Sequence, residues 1–539
     1  MEIFPDIQRP LNEDLLKCVL GKDTLSPLDY LQALAARVAK IDHHFSPHSD
    51  VSRLTDEFFS LLKNNQFLPA PSVITKGLDE HPVLFRHVGF ELSDRLDEIF
   101  AILKRAMIFL QHGVQVAINF SRMRASRSVI YASDLQAVGP LRFLEFFEWI
   151  PQTTSQKTML TFGFRVDHLE ILEFLDFVEK AGPHLRFQLW LTQNFLEALS
   201  AKENFKLTHK PGAESSQKIS AQRVWQKIQG LITNGAPLDL IFEGPMQALW
   251  SKNHFPEKLL LNPKCQSVEA GELMSLGTFN LTAFVDCEGF LEEKLKQALR
   301  VSLHFLENLF ELNFYFDDES RAKTKENRRL GLSLLGLGEV LQFLNPEHSF
   351  KKSQNLLKRL SSLLRTTGME FSQEMRSKRG GKQTMELNDE TKLVRHAQLF
   401  AQINLPFCEE LSGTPSYFSE MGLGTVEKYR DPRGDPEVVL FSPLGEKIPD
   451  RGRTTMGDIF QQTYLENFKG WLVFHKQWQQ DFSNVVSFPF PQELFQGDVA
   501  DFSKCFEQAY CAGCVAFEIL SHPMKSRKTL GTITLPSAS

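Results

Sequence analysis

Tyrosine is scarce: 7 Tyr stand against 46 Phe in 539 residues. Rings without a hydroxyl need no hydrogen-bond partner, so this imbalance implies thick apolar layers packed by Phe. Long hydrophobic runs are lacking too. No stretch of 18 apolar residues occurs, so no membrane span is expected. The first residues, Met1 to Asp6, carry neither a basic segment nor an apolar core, so no secretory leader is expected. An excess of positive charge is also missing. The 60 Lys and Arg against 66 Asp and Glu give a formal net charge of -6, which argues against a nucleic-acid surface. The seven cysteines are few and scattered, and without a leader they read as reduced thiols in a cytoplasm. Only Cys511-Ala-Gly-Cys514 has redox or metal spacing. No second pair and no nearby His completes a zinc site, so both read as small buried residues and no metal is expected. His43, His44 and His48 read as a solvated turn for the same reason.

What is present fits a globular protein: 42% hydrophobic and 23% charged residues, in a chain long enough for one very large domain or several ordinary ones. Residues 1–63 read as helical. Leu28, Leu31, Leu34 and Val38 recur at helical spacing after Ser26-Pro27, a cap followed by proline at the first helical position. Leu96 to Leu110 reads as an amphipathic helix and Val114 to Phe120 as a short strand, together part of a parallel βαβ unit. Residues 345–470 differ in character. A Lys/Arg-rich helical run from Lys351 to Arg379 stops at Gly380-Gly381, and a Gly/Pro-rich stretch follows from Thr414 to Asp458. The basic run reads as a solvated helix face.

Several segments recur in one order. They are Gly113 to Arg124, Gly139 to Phe147, Phe164-Arg-Val-Asp-His168 through Leu175, Arg186 to Ala198, Pro237 to Phe242, Asn262 to Leu281, Asn313 to Phe316 with Glu326 to Gly338, and His475 to Pro489. Their order and spacing resemble the catalytic barrel of ribonucleotide reductase large subunits, most closely the adenosylcobalamin-dependent class II type. The absence of any Tyr-Tyr pair agrees with that type rather than with the two-subunit class. The resemblance implies a ten-stranded α/β barrel over residues 64–539, made of two antiparallel halves of five parallel strands. A finger loop would thread its interior, and a helical N-terminal segment (1–63) would precede it.

In that family a thiyl radical on the finger-loop cysteine removes the 3′ hydrogen of a ribose. A Glu two residues later acts as base, an Asn two residues earlier holds the sugar, and two further cysteines supply electrons. This chain reads Asn262-Pro-Lys-Cys-Gln-Ser267 where the family has Asn-Pro-Cys-Gly-Glu. Without a gap, Lys264 takes the radical position and Gln266 the base position. With one residue inserted, Cys265 recovers the thiol and Ser267 stands where the base should be. A hydroxyl does not take a proton near neutral pH as a carboxylate does. Met274 replaces one redox thiol, Val88-Gly89 stands at the other, and thioether sulfur does not cycle with a thiol. Gln188 and Trp190 replace a family Asn and Ser, and the phosphate-cradling turn expected near Asn404 to Phe407 lacks its Gly and hydroxyls.

Two functions are therefore open. One is a homologue that has lost catalysis and serves as a partner, regulator or nucleotide-binding pseudoenzyme, with an active reductase chain or a second copy as partner. The other is a divergent reductase. In that case Cys265, Asn262 and Glu269 would carry the chemistry, Ser121, Asn119 and Gln188 would hold substrate, and adenosylcobalamin would be the cofactor.

Overall fold

The computed structural model describes residues 10–520 apart from 22–24, 131–134, 154–157, 211–212, 253–258, 346–349, 382, 388–389, 404, 415–426, 430–437, 441–467, 470–471, 474, 480–487 and 492–498. Most of the Gly/Pro-rich stretch 414–458, and Asn404, thus lie outside the described residues.

Among the described residues, ten strands carry the two larger sheets. They are β1 (Phe67–Pro69), β2 (His87–Glu91), β3 (Gln115–Asn119), β4 (Leu160–Arg165), β5 (Leu185–Leu191), β6 (Leu238–Phe242), β7 (Ser275–Asn280), β8 (Leu330–Leu335), β9 (Phe488–Pro491) and β10 (Ala516–Leu520). The first sheet has the order β2-β3-β4-β5-β6-β10-β9, and the second β1-β7-β8. Strands β2 to β6 run parallel, and β10 turns antiparallel against β6 with β9 parallel beside it. An antiparallel bridge, Val88 to Leu273, links β2 to the segment entering β7, and a parallel bridge joins Leu332 of β8 to Phe400. Two parallel sets meeting at antiparallel seams are therefore present. Closure into one ten-stranded ring is not among the described pairings.

The helices follow from the sequence. Among them are α1 (Glu13–Leu20), α2 (Pro27–Ala39), α3 (Val51–Lys63), α4 (Leu96–Gln111), α5 (Pro140–Thr153), α6 (Ile171–Lys180), α7 (Ala221–Thr233), α8 (Glu243–Lys252), α9 (Glu292–Leu312), α10 (Phe350–Arg379) and α11 (Val499–Ala512). Ser26 Oγ accepts from the Asp29 amide and Pro27 opens α2, as the spacing implied. The basic run forms α10, which ends before Gly380 at φ +78°. His43 and His44 fall in a short 3-10 helix, Lys40–His44. One continuous apolar core runs from Leu11 in the N-terminal segment to Ile519 in β10.

Strand alternation divides this core from the site. One face of β4, β5 and β6 presents Phe162, Phe164, Phe187 and Phe242 to the helices. Phe164 stacks on Phe174 of α6, Phe187 meets Phe174 and Phe177 edge-on, and Phe242 packs on Phe506 and Tyr510 of α11. These rings are part of the phenylalanine excess. The other face presents Thr161, Arg186, Gln188, Trp190, Asp239 and Ile241. A small residue lets β1 pack closely along β7 in their shared sheet. A Cβ at Gly277 of β7 would stand 2.8 Å from Phe67 Cε2 and 3.2 Å from the Leu68 carbonyl oxygen. Gly277→Ala is expected to cost about 1–3 kcal/mol through overpacking, read as a lower urea midpoint at unchanged slope.

Candidate active site

The finger loop is a tight hairpin. Leu260 pairs with Val268 and Leu261 with Ser267, leaving residues 262–266 as its turn. Asn262 builds that turn. Its Oδ1 accepts from the Lys264 amide (2.9 Å) and the Gln266 amide (3.0 Å), and its own N–H donates to the Gln266 carbonyl (3.0 Å). The Asn262 Nδ2 faces Met274 Sδ at 3.9 Å. Both residues are buried. The amide is thus spent on the loop's own geometry.

Cys265 sits at the tip with φ +54°, a left-handed conformation uncommon outside glycine. Its sulfur is approached by Gln188 Nε2 (3.4 Å), and its S–H points to Asp239 Oδ2 (3.8 Å). Gln188 Nε2 also donates to the Asn262 carbonyl (3.0 Å), so β5 holds the turn's first residue as well as its tip. The residue is 1% exposed and packs in a small apolar cluster with Trp190, Ile241, Met246, Leu249, Leu261, Val515 and Ala516. Trp250 stands against Trp190 with ring centres 6.1 Å apart, and its Nε1 donates to Ser267 Oγ (2.7 Å). Burial pushes the Cys265 thiol well above its ordinary range; the Asp239 and Glu518 carboxylates add to this, and Arg186 opposes it. A thiol held this way is a poor nucleophile.

The charges around the tip form a cluster. Arg186 grips Asp239 with two bonds, Nε to Oδ2 (2.8 Å) and Nη2 to Oδ1 (2.6 Å). Burial works against the Arg186 charge, but Asp239 and Glu518 outweigh it and hold the guanidinium protonated. Burial pulls Lys264 below the ordinary lysine range. His87 is driven down to about 3 by burial, with Lys264 and Arg86 adding to it, so its imidazole is neutral.

The other expected site residues divide. Asn119 Oδ1 accepts from the Ser121 amide (3.0 Å), and the buried Ser121 hydroxyl has no partner among the described residues. Asn119 and Gln188 lie on the same face and in line across the sheet, through Gly163. Glu269 lies elsewhere. It follows the hairpin on the side away from the tip, so at about 3.3 Å per residue it stands on the order of 10 Å from Cys265. There Oε1 accepts from Asn327 Nδ2 (2.8 Å). Its neighbour Glu272 is fully buried on Arg329 (2.9 Å) and anchors the loop's exit. At the second redox position, a Cβ on Gly89 would stand 2.1 Å from Leu260 Cδ1 and 3.2 Å from the Leu261 carbonyl oxygen, so a side chain there requires Leu260 of the hairpin to move. Cys511 is exposed and Cys514 buried, which corrects the expectation that both are buried. Among the described residues no group of three or more His, Cys, Asp or Glu could hold a metal.

Asp239, Arg186, Glu518 and Trp250 were missed from the sequence. A signal existed for Asp239: an acid inside the apolar strand Leu238-Asp-Leu-Ile-Phe242 must find a buried partner.

The family model "Ribonucleotide reductase, barrel domain" matches residues 88–236 and 266–419. The chain belongs to the ribonucleotide reductase large-subunit family. Among curated relatives, a vitamin B12-dependent ribonucleoside-diphosphate reductase of Mycobacterium tuberculosis is 23% identical over 380 residues, covering 67% of this chain and 53% of the relative. The protein of that name from Thermoplasma acidophilum is 21% identical over 299 residues, 54% of this chain and 39% of its own. A ribonucleoside-diphosphate reductase subunit alpha of Chlamydia pneumoniae is 20% identical over 342 residues, 55% and 32% respectively. The chain therefore spans about half or less of the length of these reductases. The reductase match skips residues 237–265, the stretch holding Asp239, Trp250, Asn262 and Cys265. No described helix is long and apolar enough to cross a membrane.

Proposed function

We propose that this chain is a ribonucleotide reductase homologue that has lost ribose reduction and works in the cytoplasm as a partner or regulator of an active reductase chain, or as a homodimer. Its strands would complete the family's ten-stranded α/β barrel. The observation that carries the reading is the apolar cover over Cys265. Trp190, Met246, Leu249 and Val515 pack with the sulfur where a ribose would need to lie. Three further features support it. The base position holds Ser267, whose hydroxyl accepts from Trp250. Glu269 is engaged by Asn327. The Asn262 carboxamide oxygen is occupied by two backbone amides. General acid–base help needs groups within hydrogen-bond reach of the reacting atoms.

Adenosylcobalamin, which the names of two relatives suggest, fits these residues poorly. A cofactor acting on the Cys265 sulfur needs access to it, and the residue is 1% exposed, packed with Trp190, Ile241, Met246, Leu249 and Val515. No step runs through that cofactor. The competing reading, a divergent B12-dependent reductase using Cys265, rests on those relatives.

The partner half of the proposal is supported by a surface. Eight large hydrophobic residues are exposed on α4, α5 and the segment between them: Leu96, Phe100 and Met107, then Val129, Leu135 and Val138, then Phe146 and Trp149. Phe100 of α4 meets Phe146 of α5 with ring centres 6.4 Å apart, so the two helices share an exposed apolar face, the kind of surface that marks an interaction site.

Anaerobic incubation with adenosylcobalamin, dithiothreitol and each ribonucleoside di- and triphosphate is expected to give no deoxynucleotide. Turnover that disappears in Cys265→Ala would overturn the loss of catalysis.

A further inference from the structure

The seam between β6 and β10 is short on backbone pairing. Leu240 faces Phe517 and Ile241 faces Ala516, and the Phe242 amide donates to the Val515 carbonyl (2.9 Å). One step further along, the ladder is continued by side chains. The Ile519 amide donates to Asp239 Oδ1 (2.9 Å), and Arg186 Nη2 donates to the Ile519 carbonyl (3.0 Å). Arg186 also stands 3.9 Å from Glu518. The same Asp239 carboxylate takes the two Arg186 bonds on one side and faces the Cys265 thiol on the other. A single group with no exposed surface thus joins β5, β10 and the finger-loop tip, segments far apart in sequence.

We infer that the Arg186–Asp239 pair is a clasp that holds the C-terminal strand β10 across the seam and thereby keeps Cys265 sealed. Such a clasp acts whether or not the chain reduces ribonucleotides. Ala516, the first residue of β10, and Val515 just before it belong to the cover over Cys265. Displacing β10 uncovers the sulfur from that side. On the outer face of the same seam, Phe506 of α11 packs on Trp225, Phe242 and Phe517. Those rings keep α11 and β10 docked when the clasp is released, so the opening is local. It is a conformational device: the seam's inner edge can part while its outer edge holds.

Two variants of the full chain test this. Asp239→Asn removes the charge that Arg186 and Ile519 share. The double variant Arg186→Met/Asp239→Leu removes the ion pair without leaving a buried charge, a replacement that often preserves stability, and so decides the matter even where Asp239→Asn folds badly. Deuterium exchange across 516–520 and the rate of Cys265 alkylation by N-ethylmaleimide are measured by peptide mass spectrometry. Exchange over α2 and α3 serves as the reference. Both variants that fold are expected to raise 516–520 exchange and Cys265 alkylation by roughly tenfold or more, with α2 and α3 unchanged, the pattern of a local opening. Parental protection of 516–520 and Cys265 in the double variant would overturn the clasp. So would an equal rise in exchange over α2 and α3, which reports global loosening instead.

Discussion

Glu307→Gln is expected to destabilise the protein by about 3–5 kcal/mol, because it breaks a buried ion-pair cluster by removing one partner. Glu307 lies on α9 with no exposed surface, and four cationic or ionisable groups converge on it, Arg379 Nη1 the most distant at 3.7 Å from Oε1. Arg395 Nε reaches Oε1 (2.7 Å), Arg328 Nη2 reaches Oε1 (2.9 Å), and His396 Nε2 lies 3.0 Å from Oε2. Arg328 and Arg395 are themselves buried, so neutralising Glu307 leaves their charges short of a counterion away from water. A neutral amide keeps the shape and loses that compensation. Urea unfolding reads the loss, and a change below about 1 kcal/mol would show that other carboxylates carry the arginines.

The same cluster sets an acid limit. Burial works against the Glu307 charge, but Arg328, His396 and Arg395 outweigh it and hold the carboxyl well below its ordinary range. Its folded value is therefore depressed. The stability it contributes is complete above the unfolded carboxyl range, near pH 4, and is lost as pH falls below that. Burial likewise keeps His396 below the ordinary histidine range, despite the opposing pull of Glu307. The unfolded chain takes up that proton first, so stability begins to fall below about pH 6.5. Wild-type unfolding free energy should thus decline on acidification in two stages, and Glu307→Gln should blunt the lower one.

Trp149→Glu is expected to weaken association with a partner chain by about 30-fold or more, as truncating an interface hot spot does. Trp149 is 61% exposed on α5, next to Phe146 at 56%, and Phe146 meets Phe100 of α4 with ring centres 6.4 Å apart. An exposed indole contributes little to the fold, so stability should change by no more than about 0.5 kcal/mol. Light scattering on the chain alone reads self-association. Co-purification with an active reductase from the same cell reads the mixed complex. Undiminished association in both would remove α4 and α5 from the interface.

Much of the scaffold was legible because it is written in local patterns. Leu28 to Val38 gave α2, Leu96 to Leu110 gave α4 to within a residue, and Val114 to Phe120 contained β3. The Phe excess correctly implied thick apolar layers, since Phe162, Phe174, Phe187 and Phe506 fill the space between sheet and helices. The site was legible in part. Cys265, Asn262 and Gln188 do converge, because the hairpin turn and β5 bring them together. Glu269 does not join them, since the strand direction after Ser267 carries it away from the tip. Spacing along a chain does not encode which way a hairpin points. The Asp239 clasp was illegible for a related reason: its partners Arg186, Cys265 and Ile519 become neighbours only when three distant segments fold together.

The alternation along β4, β5 and β6 has a consequence for how such a protein changes over time. The phenylalanines that fold the sheet all point to the helices, while Arg186, Gln188, Trp190 and Asp239 point to the hairpin. Adaptation on one side is thus largely insulated from failure on the other. Inner residues could be exchanged together, by natural drift or in a designed library, while the outer rings keep the vessel standing.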